Sequence, residues 1–204
     1  MRITSPGNDD TTGSGPTATT RRGTITLIRG CMFSGKTTEL LRRLAEHTDS
    51  KSLALKHAID TRFHPTQIVS HAGKAHTAIA VTSAADIVRR VGPEIEFVAI
   101  DEAHFFDEHL AAVIAQLADR GLDAVLTSLE PNSWGRPFAV NEALLAVADE
   151  ILTMTAVCAR CGATADRTQR LTPIVHRNMV VAPDNYQPRC RKCWRPPPES
   201  PVDG

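Results

Sequence analysis

The sequence predicts an α/β fold, a parallel sheet covered by helices with a small cysteine-organised subdomain behind it. Three observations carry this. Apolar runs of strand length alternate with amphipathic stretches of helix length over residues 24–154. A glycine-rich loop of the form G-x-x-x-x-G-K-[ST] joins the first strand to the first helix. Two C-x-x-C pairs follow in the last quarter, where the alternation has stopped.

The elements can be taken in order. Residues 1–22 are rich in Thr, Gly, Ser and Pro without apolar periodicity and read as a disordered tail. Thr24–Ile28 reads as a strand. Lys36–His47 reads as a helix, with Leu40, Leu41 and Leu44 on one face. Leu53–Leu55 is a short strand, and Ala84–Val91 a helix. Phe97–Ile100 is a continuous apolar run, as expected of a strand buried on both faces. Glu108–Ala118 is a helix, Ala124–Leu126 a buried strand, Asn141–Val147 a helix and Glu150–Met154 a last strand. Residues 23–155 thus form a nucleotide-binding domain of ordinary size. Residues 156–194 form the cysteine subdomain. Residues 195–204 carry four prolines and read as a second disordered tail.

The loop Gly30-Cys31-Met32-Phe33-Ser34-Gly35-Lys36-Thr37 has the parts needed to cradle a triphosphate. Its glycines let successive N–H groups turn inward, and the helix it opens favours an anion at its N-terminus. Lys36 would reach the β- and γ-phosphates of ATP, and the Thr37 hydroxyl would hold Mg²⁺. Asp101 and Glu102 follow the buried Phe97–Ile100 run, at the strand end where ligands of open α/β sheets bind. Asp101 is the second expected Mg²⁺ ligand, and Glu102 is placed to take a proton from an attacking hydroxyl or water. Asp101-Glu102-Ala103-His104 would form the other wall of the ATP site. The same four residues spell a helicase box, but helicases need two large motor lobes and this chain has room for one.

Cys158/Cys161 and Cys190/Cys193 are two knuckles separated by 28 residues. Four thiolates so arranged give closed tetrahedral Zn²⁺ coordination, which is structural rather than catalytic. The spacer between them should form an excursion anchored at both ends. Cys31 stands apart as a small apolar filler of the loop. The eight histidines are scattered without ligand spacing.

Composition narrows the partners. The 23 Lys+Arg are balanced by 23 Asp+Glu, which argues against a protein that coats nucleic acid. No stretch approaches the ~18 uncharged apolar residues of a spanning helix. No charged-then-apolar leader opens the chain, so a cytoplasmic protein without membrane contact is expected.

Taken together, these motifs resemble the cytosolic, zinc-containing thymidine kinases. The resemblance runs through Met32–Leu40, Asp101–Phe106, Asp60–Phe63, Ser70–His71, Leu129, Gly135–Phe138 and both knuckles, about five sixths of the chain. It implies that ATP and Mg²⁺ bind at the phosphate loop and that Glu102 activates the 5′-hydroxyl of thymidine or deoxyuridine. Met32, Phe105, Leu129, Phe138, Arg170, Val181 and Tyr186 would contact the substrate. The excursion between the knuckles, Val175–Tyr186, would be a lasso closing over the nucleoside. A homotetramer and inhibition by the end-product triphosphate are also implied. The chain departs from the family at His104 (usually Gln), at Ala72 (usually Asp), at Val181-Ala182 (usually Gly-Gly) and at Glu130 and Ser133 (usually Asp and Phe). Trp134, beside Ser133, is a candidate replacement ring. Two other readings share this scaffold: a kinase for another nucleoside, and a non-catalytic ATP-binding regulator.

Overall fold

The computed structural model describes residues 21–47, 51–61, 64–172 and 183–198. The first domain contains β1 (Ile25–Gly30), α1 (Lys36–Leu44), β2 (Ser52–His57), β3 (Gln67–Val69), β4 (Ala75–Thr77), β5 (Ile79–Val81), α2 (Ala84–Arg90), β6 (Phe97–Asp101), α3 (His109–Asp119), β7 (Asp123–Leu129), α4 (Ala139–Val147) and β8 (Glu150–Met154). The central sheet has the order β5-β2-β6-β7-β1-β8, and each adjacent pair is parallel.

Strand alternation builds two cores. On one face Ile25, Leu27, Val98, Ile100, Ala124 and Leu126 pack with residues of α2, α3 and α4. On the other, Ile28, Ala54, Phe97, Ala99 and Val125 pack with Leu40, Leu41 and Leu44 of α1. Burial on both faces is why these strands read as unbroken apolar runs. Because the strands are parallel and in register, Gly30, Asp101, Leu129 and Met154 all end at one edge. That edge carries the candidate site.

Three differences from the sequence expectation have physical causes. Helix α1 stops at Leu44 rather than at His47; its last turn tightens through Glu46 N–H to Arg43 O and His47 N–H to Leu44 O, and the His47 ring stacks on Phe97 at 3.8 Å. The hairpin of β3 and β4 and the edge strand β5 were not expected, since three-residue strands are too short to show a period. Residues 1–20 and 199–204 of the two expected tails lie outside the described residues, and the inner ends of both are tied to the domain. Arg21 pairs with Asp123, and Arg22 with Asp119 and Asp149, which ties the chain to the sheet ahead of β1. At the other end, Arg195 N–H donates to Gln169 Oε1 at 2.8 Å.

The second unit contains β9 (Ala156–Val157), β10 (Thr164–Ala165), β11 (Arg167–Arg170) and β12 (Tyr186–Arg189), paired as two antiparallel ribbons. Among the described residues no helix is long and apolar enough to cross a membrane.

The loop after β7 is fixed by a buried amide. Asn141 accepts from Ser128 Oγ and donates to Leu129 O at 2.8 Å and to the Glu130 carboxylate. Asn141 is fully buried, so Asn141→Ala leaves polar partners without hydrogen bonds. We expect a loss of about 1–3 kcal/mol, measured by urea unfolding. An unchanged midpoint would show that water replaces the amide.

Candidate active site

The phosphate loop follows β1 and leads into α1. Gly30 is required by a close approach: a Cβ there would lie 2.2 Å from Met154 O at the end of β8. Gly35 caps α1 with φ 88°, a left-handed conformation that favours glycine. Phe33 also lies in that region, at φ 65°, which is strained for a residue with a side chain. The curl turns Cys31 O inward, where Ser34 Oγ and Lys36 Nζ both donate to it at 2.8 Å.

Opposite the loop stands the end of β6. Asp101 is buried, and Oδ1 accepts from Thr37 Oγ1 at 3.3 Å. The same oxygen accepts from Thr127 Oγ1, and Thr127 Oγ1 in turn accepts the Glu102 N–H at 2.9 Å. Glu102 itself is left-handed, at φ 53° and ψ 49°. A short 3-10 turn, Ala103–Phe105, follows it. His104 Nδ1 lies 3.2 Å from Glu102 Oε2, and the Leu129 N–H donates to that nitrogen at 3.2 Å. The His104 ring packs against Phe105 and Phe138, with centroids 4.3 and 5.0 Å away.

Between the loop and these carboxylates lies a cavity of about 210 Å³. Its walls include Lys36, Thr37, Asp101 and Glu102, joined by Lys56 and Asp60 from the end of β2 and the residues after it. The β3–β4 hairpin covers one side, where the His71 ring meets Phe33 at 4.7 Å.

The four cysteines of the second unit converge. Their sulfurs all lie within 4.8 Å of one another, with Cys161 and Cys190 at 3.6 Å. Burial opposes ionisation of Cys158, but N–H groups of Cys190, Arg160 and Cys161 outweigh it and bring the thiol down to about 6. Cys193 is pushed up to about 12, first by the Cys161 side chain and then by burial. Four sulfurs this close cannot all be thiolates without a cation between them, so the donor set fits a closed tetrahedral metal ion.

The cysteine unit also grips the phosphate loop. The Met32 N–H donates to Thr168 Oγ1 of β11 at 3.1 Å, and Cys31 Sγ donates to Ala165 O at 3.4 Å. The Trp194 indole N–H donates to Thr168 O at 3.3 Å, and its ring fills the space above Gly135. Trp194 thus sets a ring against this turn.

Sequence comparison agrees with this geometry. The sequence model of the family described as thymidine kinase matches residues 23–194. The chain belongs to the thymidine kinase family. A relative named thymidine kinase from Mesoplasma florum is 36% identical over 189 residues, covering 85% of this chain and 92% of that protein.

For this thymidine kinase family member, the structure brings some expected residues together and separates others. Met32, Phe33, Ser34, Gly35, Lys36, Thr37, Asp101 and Glu102 border the one cavity. Ala103 and His104, which follow Glu102, do not line it. Gly30 and Cys31 instead border a second cavity of about 320 Å³ on the far side of the loop. Phe138 packs on His104, whose ring also meets Phe105 and whose Nδ1 takes the Leu129 N–H; these three do not line the main cavity. Arg170 and Tyr186 face each other across β11 and β12, with Arg170 Nη1 3.4 Å from the Tyr186 hydroxyl and its guanidinium 5.7 Å from the ring. Val181, residues 175–182 of the expected lasso, and Arg62 and Phe63 lie outside the described residues. Sequence reasoning missed Thr127, Thr168 and Lys56, which carry no motif; only strand register brings them to the site.

Thr168 is fully buried, so Thr168→Val orphans the Met32 N–H. The expected cost is about 1–3 kcal/mol by chemical denaturation, with Thr168→Ser close to wild type. Equal stability of the two variants would contradict the grip described here.

Proposed function

We propose that this chain transfers the γ-phosphoryl of ATP to the 5′-hydroxyl of thymidine, and of deoxyuridine, in deoxynucleotide salvage. The observation that carries this is Glu102, whose backbone N–H is fixed by Thr127 Oγ1 and which borders the same cavity as Lys36 and the loop. Family membership names the acceptor class.

In this reading the loop N–H groups and Lys36 bind the phosphates, with the N-terminus of α1 adding its dipole. Thr37 and Asp101, already in contact, would hold Mg²⁺, which when bound neutralises charge on the phosphates. Glu102 accepts the proton of the attacking hydroxyl. Water would be kept from the transfer by the β3–β4 hairpin on one side of the cavity and by the lasso. Met32, Phe105, Leu129, Phe138, Arg170 and Tyr186 are the proposed nucleoside contacts, with Val181 in the lasso. Zn²⁺ is the proposed occupant of the cysteine cluster. A homotetramer, feedback by the end-product triphosphate, and a cytoplasmic protein that binds neither nucleic acid nor membrane complete the proposal on the family's pattern.

The test is ATP-dependent phosphorylation of thymidine beside deoxyuridine, deoxycytidine and a control without nucleoside. A thymidine signal is expected. Turnover with another nucleoside instead would point to Val181-Ala182 as the altered specificity element, and ATP turnover only without nucleoside would reject the kinase.

Two further outcomes are expected. Glu102→Gln should lower kcat by about 10²–10⁴-fold while ATP still binds; an unaltered rate would remove Glu102 from the proton transfer. The purified protein should contain about one zinc per chain, by elemental analysis, and Cys193→Ser should lose it. A metal-free, fully folded protein would contradict the closed site.

A further inference from the structure

Lys56, one residue before the end of β2, lines the main cavity, yet its side chain is only 3% exposed. Alternation puts Ala54 and Lys56 on the α1 face of the sheet. Register pairs Lys56 with Asp101 on the neighbouring strand, so their side chains leave the same face side by side. The ammonium donates to His64 O at 2.9 Å and to Gln67 O at 3.2 Å. Its remaining direction meets the Asp60 carboxylate at 3.7 Å, an ion pair longer than a hydrogen bond.

Burying an ammonium carries a heavy desolvation cost. Tying a loop to two carbonyls does not require it, because a neutral amide donates as well. What the charge adds is a field inside the cavity. Lys36 faces that cavity from the phosphate loop, and Lys56 faces it from the β2 wall. Against these two ammonium groups stand Asp60, Asp101 and Glu102. A phosphoryl group passing between nucleotide and acceptor spreads charge over its non-bridging oxygens, and a fixed donor there acts on the transition state.

We infer that Lys56 is a catalytic residue of the phosphoryl transfer. Held by the two carbonyls, its ammonium turns the third N–H from Asp60 to a non-bridging oxygen of the γ-phosphoryl. In the step, the bond from O5′ to the γ-phosphorus forms. The bond from that phosphorus to the β–γ bridging oxygen breaks, and its electron pair leaves with ADP. The O5′ proton goes to Glu102, and Lys56 keeps all of its protons. The inference rests on the kinase reading and deepens it.

The test compares wild type, Lys56→Met and Lys56→Arg. Lys56→Met keeps the stem without the charge; it should lower kcat about 100-fold while KM for thymidine and affinity for ADP stay near wild type. Lys56→Arg should recover part of the rate. A second readout is binding of ADP with Mg²⁺, aluminium fluoride and thymidine, a mimic of the transferring phosphoryl. Wild type should bind this set more tightly than ADP alone, and Lys56→Met should lose the tightening. Should Lys56→Met fail to fold, Lys56→Gln, which can still donate to the carbonyls, carries the same expectations. A loop pin alone would raise KM or lower the melting temperature with kcat and the tightening retained, and that result overturns the inference. A wild type inactive on every nucleoside would instead contradict the kinase reading itself.

Discussion

One buried hydroxyl holds the reacting edge of the sheet together. Thr127 Oγ1 donates to Asp101 and accepts the Glu102 N–H. It can do both because β7 runs parallel to β6 with Ile100 beside Leu126, so the next residue of each strand meets across the edge. The left-handed turn at Glu102 costs about 1–3 kcal/mol. The hydroxyl bond offsets part of that and sets the direction in which the chain leaves the strand. The 3-10 turn, the placement of His104 and its bond from Leu129 N–H all follow from that direction.

The cysteine unit is built into the phosphate loop as well as added beyond it. Two antiparallel ribbons and a four-sulfur cluster have little apolar core of their own; Ala165 and two of the cysteines are its buried members. A unit so small needs a staple, and a metal ion is the one its donor set fits. Once stapled, it presents Thr168 to the Met32 N–H and Ala165 O to Cys31. Stability of the cluster and shape of the phosphate loop are therefore coupled.

Much of this was legible in the sequence because it depends on local spacing. Gly30 to Thr37 fixes a loop through neighbours in the chain, and each C-x-x-C pair sets its own turn. Asp101 and Glu102 were legible through the apolar run ahead of them. The remainder depends on residues far apart in sequence. Thr127 and Lys56 look like ordinary strand residues until register sets each beside Asp101. Thr168 shows its role only when the second unit folds back on the first. The hairpin over the cavity has strands too short to carry a period. Phe105 and Phe138, expected as nucleoside contacts, share a packing partner in His104 that their places in the sequence do not show.

The most direct test of the account is the turnover of thymidine by Thr127→Val beside Thr127→Ser, with ATP affinity measured on both. The valine keeps the shape and removes both hydrogen bonds; the serine keeps both bonds. The account predicts that kcat falls by about 10-fold or more in Thr127→Val, stays near wild type in Thr127→Ser, and that both still bind ATP. Wild-type turnover by Thr127→Val would contradict it, because Glu102 would then be positioned without the hydroxyl.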